Sequence, residues 1–244
     1  MPLRALSFEV CMLKFSALCI LSVVLGSSMA FAKTADELSA QSQLDQVLQG
    51  KPLLLKTPVK GSWAILTIYE FIPNVTPREA AAITMDWGRK ASYTKDGGLL
   101  KSEVETDTVK FGGAEASVDY SVTVPLLGKE DFTMKNEIKP YDNGQSFEVD
   151  STMTKSGMTK SSVVKTTLES YNDQGTIMKI VSQTDPPHLF VSRTEGTAID
   201  RTMATSDDFV KHAVSEKTSN SPEFQAELSS FDKAMEMLLA TPGQ

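Results

Sequence analysis

SWAILTIYEFIPNVTPREAAAITMDW, residues 62–87, sets a strand directly before a helix. Up to Ile72 the period is two. Trp63, Ile65, Thr67, Tyr69 and Phe71 occupy one face, and Ala64, Leu66, Ile68 and Ile72 make the other apolar as well. A strand apolar on both faces is covered on both. Pro73-Asn74 ends it. Thr76-Pro77-Arg78-Glu79 then supplies a cap, a proline at the first helical position and an acid at the third. A helix starts there and runs through Ala80, Ala81, Ile83, Thr84 and Trp87 to Gly88, with small residues that permit close packing.

Downstream, the period of two returns and persists. Leu100 to Phe111 ends at Gly112-Gly113, and Ala116, Val118, Tyr120, Val122 and Val124 alternate up to Pro125. Phe132, Met134 and Ile138 mark the next strand, closed by Pro140 and Asn143-Gly144. Phe147, Val149 and Met153 follow, then Met158, Val164 and Leu168, then Ile177 to Val181 before Asp185-Pro186-Pro187. Asn143-Gly144 and Asp173 to Gly175 are hairpin turns in composition. Six strands with short connections predict an antiparallel meander and exclude βαβ units. Helical spacing resumes at Ile199, Met203, Val210 and Val214. Pro222 then opens a helix with Phe224, Leu228, Phe231, Met235 and Leu238 on one stripe.

Upstream, Thr34 with Glu37 reads as a capping box, and Leu38, Leu44, Val47 and Leu48 follow near helical spacing to Gly50. This predicts an N-terminal helix and lead-in over residues 33–60, before one domain at 61–240. Residues 1–32 read as a signal peptide. The apolar run Ala17 to Leu25 follows Lys14, is too short to span a bilayer, and leads to the small-x-small site Ala30-Phe31-Ala32. MLKFSALCILSVVLGSSMAFA, from Met12, is the better proportioned leader. Export across the inner membrane is therefore expected, to the periplasm in a bacterium, with no transmembrane segment after cleavage.

The charge and the cysteines narrow the function. The chain has 244 residues and a formal charge of −7, and a leader holding Arg4, Lys14 and Glu9 leaves the remainder one unit more acidic. Such a surface offers no counter-charge to nucleic-acid phosphates, so nucleic acid is not an expected partner. Both cysteines, Cys11 and Cys19, lie in the leader, so the exported part has no disulfide, thiol nucleophile or Cys-ligated zinc. The two histidines, His188 and His212, lack metal-ligand spacing, and no HExxH, P-loop, GxGxxG or GxSxG occurs. No metal, cofactor or catalytic residue is assigned. Asp131, Glu137, Glu148 and Asp150 alternate with apolar neighbours as a solvated outer face does.

The order of helix, strand, helix, six strands and helices resembles the helix-grip plan of the START/Bet v 1-like (SRPBCC) superfamily. Ser62 to Trp87 looks like that family's first strand and helix, with Asp86-Trp87 as its acid–aromatic pair. Val124 to Ile138 (VPLLGKEDFTMKNEI) and Ser161 to Pro187 resemble the polyketide cyclase/coenzyme Q-binding bacterial branch, so the likeness covers about residues 61–187. Two features depart from it: Ala81 stands where relatives carry a Trp, and His188 to Asn220 is longer than a short link, which reads as a lid or as an insertion. The resemblance implies an α+β fold, a curved antiparallel sheet of about seven strands wrapped on a long C-terminal helix. It also implies a cavity between them for a hydrophobic small molecule or lipid. Candidate ligand-binding residues are Trp87, Tyr120, Phe132, Met134, Phe147, Met153, Met158 and Phe231, each weighed against simply filling a core. The rival readings are a polyketide cyclase/aromatase-like enzyme using Tyr120, Thr166 or Asp86, and an envelope interaction protein with a collapsed cavity and a partner on 188–220.

Overall fold

The structure, a computed structural model, describes residues 34–38, 41–85, 110–112, 114–124, 128–186 and 191–240. The leader, Asp86-Trp87, most of the segment from Leu100, and His188 lie outside the described residues.

Among the described residues, eight strands form one sheet. They are β1 (Leu53–Thr57), β2 (Ile65–Pro73), β3 (Lys110–Gly112), β4 (Glu115–Val124), β5 (Gly128–Tyr141), β6 (Ser146–Ser156), β7 (Ser161–Tyr171) and β8 (Gly175–Asp185). Every pairing is antiparallel, and the order is β1-β2-β8-β7-β6-β5-β4-β3. The meander is as expected. Its last strand returns beside β2, in register from Leu66↔Ser182 to Pro73↔Gly175. Left-handed backbone at the turns falls on residues that tolerate it, Asp142, Asn143 and Gly144 before β6, and Asn172 and Asp173 before β8. A bulge at Thr133/Met134 interrupts the register of β5 with β6.

Four α-helices among the described residues accompany the sheet: α1 (Gln41–Leu48), α2 (Pro77–Met85), α3 (Val191–Ser219) and α4 (Pro222–Ala240). The last three cover one face. Ile72, Ile138, Phe147, Val149, Leu168 and Met178 of the sheet form a single core with Ala80 to Ile83, with Phe209 and Ala213, and with the stripe Phe224, Leu228, Phe231 and Met235. Ala80, Ala81 and Ala82 are fully buried, so the small residues of α2 do bring it close to the strands. Thr76 and Glu79 make the reciprocal capping box. The Thr76 N–H donates to Glu79 at 2.9 Å and the Glu79 N–H to Thr76 Oγ1 at 3.3 Å. Replacing Thr76 by Ala removes one of these bonds. It is expected to cost about 1 kcal/mol, read as a lower urea midpoint at unchanged slope.

The opposite face is solvated over β5–β7, where Lys139 meets Asp150 at 2.7 Å and Lys165 meets Glu148 at 3.0 Å. Glu137, Glu148 and Asp150 thus stand where alternation puts them. Over β2, the same face is covered by the N-terminal segment, through Leu38, Val47 and Tyr69.

Two expectations are corrected. Thr34 to Glu37 is a separate 3₁₀ turn, not the first turn of a helix reaching Leu48. Glu37 takes the Tyr69 hydroxyl at 3.0 Å and the Lys179 ammonium, tertiary partners stronger than its own turn. The second correction is β1, one strand more than the meander supplies. Leu53, Leu54 and Leu55 show no alternation, and their order comes from pairing with β2. The helical spacing of Ile199, Met203, Val210 and Val214 is borne out: residues 191–219 form a 29-residue helix, packed on β2. The C-terminal helix of the grip is thereby split in two. Asn220 adopts φ 47° and Ser221 Oγ accepts from the Phe224 N–H at 3.1 Å, a stop followed at once by a start.

Candidate functional site

The registers place the helix-facing side chains in rows across the sheet. One row, Phe147–Leu168–Met178–Glu70, lies against α2 and α4 and is buried throughout. The next runs Ile138–Val149–Thr166–Ile180–Ile68, and the one beyond it Asn136–Ser151–Val164–Ser182–Leu66. Both are buried at their ends and half-exposed in the middle, at Thr166, Ile180, Ser151, Val164 and Ser182. Half-exposed Met153 continues the opening toward β5. Among the described residues, the helix-facing side of the sheet therefore carries a half-exposed trough, with a floor of aliphatic groups and three hydroxyls. Such a surface accepts an apolar body and a few hydrogen bonds.

Of the eight candidate ligand residues, Tyr120, Phe132, Met134 and Met153 lie on the strands beside this opening, and Phe147 and Phe231 lie at its closed end. Tyr120 and Phe132 are cross-strand partners with rings stacked 5.2 Å apart, and Met134 pairs with Met153 in the next row. Burial pushes the Tyr120 phenol well above its usual range. Phe147 and Phe231 meet edge-to-face at 5.4 Å inside the main core, at the closed end. Met158 lies in the β6–β7 turn, which folds around Glu130. That carboxylate accepts from Ser156 Oγ at 2.6 Å, the Thr159 N–H at 2.8 Å and the Met158 N–H at 3.3 Å. Trp87 lies outside the described residues. Of the polar residues suggested for catalysis, Thr166 is on the trough floor and Asp86 is outside the described residues.

Sequence reasoning passed over Ser151, Val164, Ile180, Ser182 and, above all, Glu70. The signal for Glu70 was present: a lone carboxylate in a strand apolar on both faces. A small pocket of about 30 Å³ opens under the start of α3, lined by Trp63, Leu66, Ser182, Thr184, Ile199 and Thr202. Beside it, Glu195 accepts the Ala64 N–H at 2.7 Å, tying α3 to the chain entering β2. That space suits about a water molecule or one small group, not a whole cargo.

An antiparallel sheet gripping long C-terminal helices, with its first long strand back beside its last, is the START/Bet v 1-like helix-grip fold. The STAR-related lipid transfer protein of Xanthomonas axonopodis matches with a TM-score of 0.54 at 12% identity, over 66% of this chain and 93% of that one. Human STARD10 matches at 0.47 and 12% identity, over 78% of this chain and 82% of its own. The Zhui aromatase/cyclase of a Streptomyces species matches at 0.48 and 9% identity, over 68% of this chain and 95% of its own. No protein-family model matches the chain, and neither does any curated protein. Among the described residues, no helix is long and apolar enough to cross a membrane.

Proposed function

We propose that this is an exported, periplasmic binding protein. It carries a hydrophobic small molecule or lipid in the trough between sheet and C-terminal helices, and performs no chemistry on it. The observation that carries this reading is the half-exposed floor at Ser151, Met153, Val164, Thr166 and Ile180, between sealed ends. Apolar area removed from water there is worth about 25 cal/mol per Å², so roughly 200 Å² of contact supplies about 5 kcal/mol before the costs of association. The likeness to a lipid transfer protein of the same fold supports it. A cyclase would need converging acid and base groups. Of the buried carboxylates on the helix-facing side of the described strands, Glu130 is spent on the β6–β7 turn, which leaves Glu70 without a partner base.

One measurement reads both halves of the proposal. Native mass spectrometry of protein taken from its own host without detergent is expected to show a chain beginning at Lys33 with a lipid-like adduct. A retained leader overturns export. A bare chain that gains no adduct from a total lipid extract overturns the cargo.

A further inference from the structure

Glu70 stands on β2 between Ile68 and Ile72, opposite Met178, with Ser206 of α3 packed over it. Glu70 is 4% exposed and Ser206 3%. Neither Glu70 Oε1 nor Ser206 Oγ has a hydrogen-bond partner among the described residues. The hydroxyl is near enough to favour the ionised carboxyl, but not in hydrogen-bond geometry with it. The other carboxylates buried as whole residues in the described fold have partners, although Asp208 Oδ2 of α3 is another buried oxygen without one. Glu130 holds the β6–β7 turn, Glu169 takes the Tyr141 hydroxyl and the Thr34 N–H, and Glu79 takes Lys217 and the Thr76 N–H. The charges that reach Glu70, Asp207 and Lys211, are bonded to each other at 2.5 Å on α3. A buried acceptor without a donor destabilises the fold that holds it.

Its place gives it a use. Glu70 is diagonal to Ile180 across the β2–β8 pairing, a separation of about 7–8 Å between backbones. The half-exposed residues Met153, Val164, Thr166 and Ile180 lead across β6, β7 and β8 toward it.

We propose that Glu70 and Ser206 form the polar end of the cargo site, holding the uncharged hydrogen-bonding head of an amphiphile, an alcohol or amide, whose apolar body lies along the trough. This rests on the reading of the trough as a cargo site. A hydroxyl head donates to Glu70 Oε1 and accepts from Ser206 Oγ–H, which satisfies both groups at once. A carboxylate or phosphate head sets a second negative charge beside Glu70 and Asp207. A plain alkane leaves the pair orphaned.

The test is displacement of the uncharged dye N-phenylnaphthylamine from protein expressed from the whole coding sequence. The competitors are dodecanol, dodecane, dodecanoate and dodecylamine. Dodecanol is expected to displace the dye at about tenfold lower concentration than dodecane or dodecanoate, the effect of roughly one hydrogen bond. Glu70→Gln, which keeps a donor and an acceptor, retains the preference. Glu70→Leu abolishes it while leaving dodecane unchanged, and Ser206→Ala weakens it a few-fold, which serves should the leucine variant not fold. An undiminished preference in Glu70→Leu or Ser206→Ala overturns the anchor, as does tightest binding by dodecylamine. Equal displacement by all four competitors removes the anchor and leaves the trough standing. A protein that takes up neither dye nor competitor removes both.

Discussion

Gly175→Ala is expected to be the most damaging single-methyl change in the described fold, costing on the order of 3 kcal/mol or more. Gly175 opens β8 with φ +155°, a conformation rare for residues with a side chain. A Cβ there would stand 2.3 Å from the Ile72 carbonyl oxygen and 2.9 Å from the Phe71 ring. The ring can swing aside, but the oxygen cannot. Ile72 is fully buried in the main core and pairs with Thr176, while Pro73 pairs with Gly175 itself. Two further bonds hold the strands in place: the Asn74 N–H donates to Gln174 O at 2.9 Å, and Thr176 Oγ1 donates to Val75 O at 2.6 Å. The added methyl must therefore part β2 from β8, the pairing that joins the strand before α2 to the end of the meander. Gly144→Ala is the control, because its φ of +82° is strained for alanine but its surroundings are open. It should cost about 1 kcal/mol. Urea unfolding of both variants reads the difference, and equal losses would show that the close approach to Ile72 carries no weight.

What the sequence revealed was local, and what it hid was tertiary. The start of α2 was legible because a cap, a proline and an acid each act within one turn, at Thr76, Pro77 and Glu79. The stripe from Phe224 to Met235 was legible because a helix with one buried face must repeat at that spacing. The turns at Asn143-Gly144 and Asp173 were legible because few residues accept left-handed backbone. By contrast, β1 owes its order to β2, and nothing within Leu53–Thr57 announces that partner. Glu37 satisfied a local rule and then lost to Tyr69 and Lys179, which only folding brings near. The trough lay further out of reach. Alternation assigns Met153 and Phe147 to the same face of β6, yet Phe147 is sealed under Phe231 and Met153 is half-exposed. Where the helices rest on the sheet decides that difference. Glu70 was readable as an anomaly and unreadable as a site, since its isolation depends on α3 covering it.

Glu70→Gln should remove a pH dependence that the natural protein shows between about pH 5 and pH 8. Burial pushes the Glu70 carboxyl up from 4.5 to about 7. Ser206 and Lys211 oppose that rise, and Asp207 adds to it. A folded-state pKa above the unfolded value means the native protein keeps a proton that the unfolded chain has already released. Stability is then greatest below about 4.5, falls as pH rises toward about 7, and stays low beyond it. The whole decrement is on the order of 3 kcal/mol, since each tenfold gain in proton affinity on folding is worth about 1.4 kcal/mol. The lowered groups Glu79 and Asp232 act in the opposite sense, losing stability as pH falls through their own acidic range, so they leave this window clear. Glutamine has no proton to release. The variant should match the natural protein near pH 5 and exceed it near pH 8, with urea midpoints at the two pH values as the readout. Parallel pH profiles for the two proteins would mean that the Glu70 carboxyl is already solvated or paired, and the buried polar end of the trough would go with it.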